Sequence, residues 1–191
     1  MNFSRRKFLL SSTLFGVAGA GFLSRIAGAA EGETIVVKPG TVTIHRFTDL
    51  GKSIGKEEVP KVIKSEAEWR KLLSPLAFEV TRQEGTEQAF TGPYWDNHAA
   101  GLYRCICCDN ALYLSNTKFE SGTGWPSFWQ PIAKENVIET SDNSFGMTRT
   151  KVSCALCEAH LGHVFDDGPK PTGLRYCMDG VALRFIPRPT A

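Results

Sequence analysis

Between Thr34 and Phe47 the chain alternates apolar and polar residues around Lys38-Pro39-Gly40. Val42 and Ile44 fall on one face, so this stretch reads as a short hairpin or an extended arm. From Lys52 to Lys64 the residues are charged and the periodicity is lost, as in a linker leading into a main domain. Ser65-Glu66-Ala67-Glu68 then forms a capping box, Ser at the N-cap and Glu three residues on. It predicts a helix carrying Trp69, Leu72 and Leu73 inward. Ser74-Pro75 opens a second short helix, with proline where a missing N–H costs nothing. Beyond Leu102 the pattern changes to short apolar runs cut by Gly, Pro, Asn and Asp: Leu102 to Cys105, Ala111 to Leu114, Val137 to Thr140, Phe145 to Val152, Leu174 to Asp179 and Val181 to Ile186. Together these predict a mainly β, α+β fold in which two short helices pack outside an antiparallel core. No internal repeat or low-complexity segment interrupts it.

The first thirty residues follow another logic. Ser4-Arg5-Arg6-Lys7 precedes Phe8-Leu9-Leu10, an uncharged stretch to Ser24, then Arg25 and the small-residue run Ala27-Gly28-Ala29-Ala30. A basic start, a short apolar middle and an A-x-A site make a secretory signal, and the paired arginines point to the twin-arginine route. The apolar run, rich in Gly, Ser and Ala, falls short of the roughly 20 residues of a spanning helix, so no stable membrane anchor is expected. The expected organisation is a signal peptide at 1–29, an exported arm and linker at 30–60 and one main domain at 61–191, in a periplasmic or otherwise exported location. Cleavage removes four basic residues and no acid, so 22 basic against 20 acidic residues become 18 against 20. The mature chain is mildly acidic, which argues against nucleic-acid binding.

Composition then turns attention to six cysteines. Cys105/Cys108 and Cys154/Cys157 are C-x-x-C pairs separated by 45 residues. Two such knuckles offer four thiolates to one tetrahedral zinc with no open position, a structural site. Disulfide loops or four packed core thiols are the plainer alternatives. Cys107 lies inside the first pair, and its default role is a small buried hydrophobe. Cys177 is left for chemistry. Within twenty residues of it stand His160, His163, Arg175 and Asp179, and on a strand Arg175, Cys177 and Asp179 share one face. A cation near the thiol favours its reactive thiolate. Each residue also has a duller reading: a strand cysteine as packing, or histidines closing a turn. Ligation of a catalytic metal by the histidines lacks a zincin-type motif to support it.

Four strings in order, VTRQEGTEQAFTG, SGTGWPSFWQP, HLGHVFDDGPKPTG and LRYCMDGVALRFIP, closely resemble the B-type methionine sulfoxide reductases, with the likeness running from about Trp69 to Pro187. The resemblance implies two small antiparallel sheets stapled by a structural zinc on Cys105, Cys108, Cys154 and Cys157, with Cys177 as nucleophile. It implies Trp125 as the ring that receives the substrate methyl group, and a pocket lined by His160, His163, Asp167 and Arg175. The implied reaction reduces the R epimer of protein-bound methionine sulfoxide. Cys177 attacks the sulfur, His163 or His160 protonates the departing oxygen, and a sulfenic acid remains for a thioredoxin-like or other thiol reductant. The implied role is repair of oxidised proteins.

Two positions depart from the family pattern. Asp179 stands where an asparagine is usual, and an ionised carboxylate there opposes thiolate formation. It is expected to be paired with Arg175 or protonated, or else activity is reduced. Thr123 stands where many members carry a resolving cysteine, so direct reduction by an external thiol is expected rather than resolution by Cys107. The rival readings are a zinc-stapled binding module, degenerate at Asp179, and a thiol-disulfide oxidoreductase using reactive C-x-x-C pairs.

Overall fold

The computed structural model describes residues 40–142 and 149–188. The signal peptide, the arm before Gly40 and the start of the strand expected from Phe145 lie outside the described residues. No helix among the described residues is long and apolar enough to cross a membrane.

The first two strands, β1 (Thr41–Phe47) and β2 (Ser53–Pro60), form an antiparallel hairpin. The charged stretch from Lys52 is therefore largely strand rather than linker. β2 was hidden because it lies at the surface, with only Gly55 and Val59 partly covered, and shows no apolar alternation. The hairpin is built onto the domain: Ile44 is fully buried in the core, and Val42 and Val59 pack against it. The fully buried Asn136 fixes it by accepting from the His45 N–H at 2.7 Å and donating to the carbonyls of His45 and Ala111 at 2.9 and 2.8 Å. Such a satisfied buried amide positions backbone more strongly than an exposed contact.

Helix α1 (Glu66–Leu72) begins with the predicted capping box, Ser65 and Glu68 bonding reciprocally. It is under two turns long, and what it buries is the Trp69 indole, beneath the Arg82 guanidinium at 4.9 Å. Leu72, expected inside, is exposed at the helix end. Helix α2 (Pro75–Gln83) starts at the Ser74 cap with Pro at its first turn. It buries Ala77, Phe78, Val80 and Thr81.

Nine further strands follow: β3 (Gly101–Cys105), β4 (Ala111–Leu114), β5 (Lys118–Phe119), β6 (Ser127–Phe128), β7 (Val137–Asp142), β8 (Arg149–Cys154), β9 (His160–Phe165), β10 (Arg175–Met178) and β11 (Leu183–Pro187). They make a three-stranded sheet, β11-β3-β4, and a six-stranded sheet, β5-β6-β10-β9-β8-β7, with antiparallel pairing throughout. The core lies where Tyr103 and Tyr113 of the small sheet meet Phe128 of the large one. The Tyr113 and Phe128 rings stack at 4.4 Å, and Tyr103 meets Phe128 edge-on at 5.0 Å. Emptying this site by Phe128→Ala is expected to cost about 3–5 kcal/mol.

Strand β10 is the pivot between fold and site. Its side chains alternate, so Tyr176 and Met178 enter the core while Arg175 and Cys177 face the opposite side. The Tyr113 hydroxyl donates to the Met178 sulfur at 3.1 Å and fixes that alternation. Helix α2 packs on β9 and on the 3₁₀ turn Gly180–Ala182 that follows β10.

Candidate active site and metal centre

The two C-x-x-C segments are twin turns. In the first, between β3 and β4, the Cys105 N–H donates to the Asn110 carbonyl and the Asp109 N–H to the Cys105 carbonyl. In the second, between β8 and β9, Cys154 N–H pairs with Ala159 and Glu158 N–H with Cys154. Asp109 and Glu158, at matching places, take the left-handed conformation that closes each turn. One knuckle hangs from the three-stranded sheet and the other from the six-stranded sheet, and their four sulfurs lie within 4.8 Å of one another. Cys105 and Cys157 sulfurs are 3.7 Å apart, and those of Cys108 and Cys154 3.5 Å. A tetrahedron with metal–sulfur bonds of about 2.3 Å has edges of roughly 3.8 Å, so the spacing fits a thiolate-bound metal and is far too long for disulfides. Hydrogen bonding with Cys107, Cys108, Cys154 and Cys157, then burial, holds the Cys105 thiol well above its ordinary value. Four sulfurs this close can all be thiolates only against a cation, which is what a metal of this preference supplies. Cys107 packs against the core beside the cluster and is not one of the four.

Cys177 sits in the middle of the six-stranded sheet, opposite Ser127 on β6 and His163 on β9. Its sulfur lies 3.9 Å from the Thr123 hydroxyl, which bonds Ser121 at 2.8 Å, and Ser121 bonds Ser127 at 2.7 Å. A cleft of about 130 Å³ opens over the thiol, lined by Thr86, Trp125, Arg149, Gly162, His163, Phe165, Cys177 and Asp179. Burial raises the Cys177 thiol above its ordinary value, opposed by the Thr123 hydrogen bond and the Arg175 charge.

His160 and His163 are three apart on a strand, where plain alternation would send them to opposite faces. A bulge in the β8–β9 ladder, where Val152 faces Gly162 but Ser153 faces His160, adds a residue and turns both rings to one side, 5.3 Å apart. Gly162 makes the bulge possible: it has φ +146°, and a Cβ there would run into the Cys177 carbonyl. His160 is buried with neither ring nitrogen hydrogen-bonded among the described residues, and burial takes it down to about 4. His163 Nε2 lies 2.9 Å from an Asp142 carboxylate oxygen that also accepts from Arg149 at 2.8 Å. Burial outweighs that carboxylate and lowers the His163 value too. Both rings are therefore neutral imidazoles near pH 7.

Arg175 does not reach Asp179. Its guanidinium makes two 2.8 Å bonds to Asp167 and lies over the Phe165 ring at 4.4 Å, at the rim of the cleft. Asp179 is turned inward instead, and one carboxylate oxygen accepts the Glu87 N–H at 2.9 Å. Burial raises it to about 7, and the Glu87 charge adds to that shift. Glu87, which sequence reading passed over, organises one side of the cleft. Its buried carboxylate accepts from Gly180 and Val181 N–H at 2.5 and 3.0 Å, and its carbonyl accepts the Trp125 indole N–H at 3.1 Å. One residue thus fixes the Trp125 ring, Asp179 and the turn after β10. A lone acid in a loop carries no periodicity to flag this. Arg149 and Asp142, at the facing ends of β8 and β7, were also passed over.

With this geometry in place, comparison with known proteins decides the family. A profile described as the SelR domain matches residues 73–187. The chain belongs to the SelR family. Peptide methionine sulfoxide reductase MsrB of Pseudomonas putida is 58% identical over 128 residues, covering 67% of this chain and 96% of that protein. The protein of the same name from Agrobacterium fabrum is 53% identical over 67% of this chain and 95% of its own length. Peptide methionine sulfoxide reductase B1, chloroplastic, of Arabidopsis thaliana is 54% identical over 63% of this chain and 59% of its own length. In this SelR-family chain the structure brings Trp125, His163, Cys177 and Asp179 to one cleft. His160 stands behind His163, and Arg175 and Asp167 form the rim.

Proposed function

We propose that this chain is a peptide methionine-R-sulfoxide reductase, exported by the twin-arginine route, that repairs oxidised proteins. The observation that carries the reading is the separation of thiols: four cysteines close on one another, while Cys177 alone faces a cleft walled by Trp125 and His163. The four would hold zinc and supply no open coordination position, so its contribution is to join the two sheets. Trp125, oriented through its bond to the Glu87 carbonyl, offers a ring face to the methyl group of the sulfoxide. The His163 ring, steadied by Asp142, offers a polar partner for the sulfoxide oxygen. Cys177 attacks the sulfur, methionine leaves, and oxygen remains on Cys177 as a sulfenic acid. Thr123 is the side chain beside the thiol where a resolving cysteine would stand, which supports reduction by an external, thioredoxin-like thiol.

The test supplies peptides carrying each sulfoxide epimer, with a dithiol reductant, to the wild-type protein and to Cys177→Ser. Turnover of the R epimer alone, lost in the variant, is the expected result. Absence of R turnover would leave a zinc-stapled binding module as the reading.

A further inference from the structure

The reaction needs one proton moved from the Cys177 thiol to the sulfoxide oxygen, and the two histidines are held as neutral rings. Asp179 follows Cys177 by two residues in extended backbone, so the two side chains leave the chain on the same side, with Cα atoms about 7 Å apart. Both line the same cleft. Asp179 is anchored at one oxygen, Oδ1, by the Glu87 N–H, and Oδ2 takes no hydrogen bond from the described residues. Arg175, the cation two residues before Cys177, is engaged by Asp167. A buried carboxyl tethered at one oxygen and open at the other, beside a nucleophile, has the layout of a general acid–base.

We infer that Asp179 is a catalytic residue of this chain, relaying the Cys177 thiol proton to the sulfoxide oxygen through Oδ2. The inference rests on the reductase reading above. The thiol proton passes to the carboxylate, directly or through one water, as the Cys177 sulfur bonds to the sulfoxide sulfur. The carboxyl group then gives that proton to the sulfoxide oxygen. The sulfur–oxygen bond breaks, the hydroxyl passes to Cys177, the sulfur–sulfur bond breaks, and the methionine thioether leaves. The two electrons gained by the methionine sulfur are those lost by the Cys177 sulfur, and Asp179 ends as it began. Transferring the proton rather than expelling it also removes the objection to a carboxylate here, since thiolate and carboxylate need not coexist.

The charged and titratable groups facing Asp179 are Glu87 on the segment after α2, Cys177 on β10, His163 on β9 and Arg149 on β8. Burial raises Asp179 to about 7, the hydrogen bond from the Glu87 N–H opposes the rise and the Glu87 charge adds to it. That value suits a group that must both take and give a proton near neutrality.

The test is the single-turnover rate of Cys177 oxidation by a methionine-R-sulfoxide peptide between pH 5 and pH 10, using the whole zinc-loaded protein. The wild-type rate is expected to rise to about pH 7 and then level. Asp179→Asn is expected to be roughly 10²-fold slower at pH 7. Its deficit should shrink as pH rises and Cys177 ionises unaided. Glu87→Gln removes the neighbouring charge and is expected to move the wild-type limb to lower pH. An Asp179→Asn profile parallel to the wild type at every pH, or a limb unmoved in Glu87→Gln, would overturn the relay while leaving the reductase reading intact. Failure of the wild-type protein to oxidise Cys177 at any pH would remove both.

Discussion

The four-cysteine cluster draws on both sheets and the Cys177 cleft is built on strands of the six-stranded sheet, and the two use cysteine in opposite ways. In the cluster four sulfurs crowd within 4.8 Å, presented by two turns with the same backbone hydrogen bonds. In the cleft one sulfur is surrounded by unlike groups from four parts of the chain: Thr123 and Trp125 before β6, His163 from β9, Arg149 from β8, and Asp179 after β10. The first arrangement is placed to give all its sulfurs to one metal and so to join two sheets. The second leaves its sulfur raised in pKa and open to a ligand. Burial alone does not make a cysteine structural. What matters is whether its neighbours are other thiolates or groups that can move a proton.

The two kinds of thiol differ most in what their loss does. Cys177→Ser is expected to lower reductase activity on the order of 10⁴-fold or more, with metal content and thermal midpoint unchanged. Cys154→Ser, by contrast, is expected to release the metal and destabilise the fold by about 4–5 kcal/mol or more, read by metal analysis and denaturant unfolding. If Cys177→Ser also loses metal, the division of roles fails.

A smaller effect sharpens the electrostatic half. The folded-state value of Asp179 is raised, so its contribution to stability is fully present below the unfolded carboxylate value and is lost as pH rises toward about 7. Asp179→Asn removes that loss. The stability advantage of the variant is expected to grow by about 2 kcal/mol between pH 5.5 and pH 8, measured by urea unfolding of the zinc-loaded protein. The smallest effect belongs to the rim. Asp167 is an exposed partner of Arg175, so Asp167→Asn is expected to change stability by less than about 0.5 kcal/mol. Its use is as a contrast: a large destabilisation there would mean that the rim pair, and not the buried Glu87–Asp179 pair, organises the cleft.

Much of this was legible in the chain because local chemistry and tertiary outcome agree. Ser65 and Glu68 cap a helix in sequence and in space, and the two C-x-x-C spacings become two matching turns. The central strand around Cys177 alternates core and cleft as its residues suggest. What escaped has physical causes. β2 is a surface strand of charged residues, so pairing with β1 rather than apolar periodicity defines it. β9 was obscured by its bulge, which breaks the two-residue period where His160 and His163 need to face the same way. Of the outcomes expected for Asp179, pairing with Arg175 does not form, because Asp167 holds the guanidinium. Glu87 lies 90 residues before Cys177 in sequence, and only the folded chain joins them.

The central claim is that one thiol reacts while four are held. The most direct test is to treat the zinc-loaded protein with one equivalent of a methionine-R-sulfoxide peptide without reductant, trap sulfenic acids, and map all six cysteines by mass spectrometry. One added oxygen is expected on Cys177 alone, none on Cys105, Cys108, Cys154 or Cys157, and no oxidation with the S epimer. Oxidation appearing first on any cluster cysteine, with Cys177 still a thiol, would contradict it.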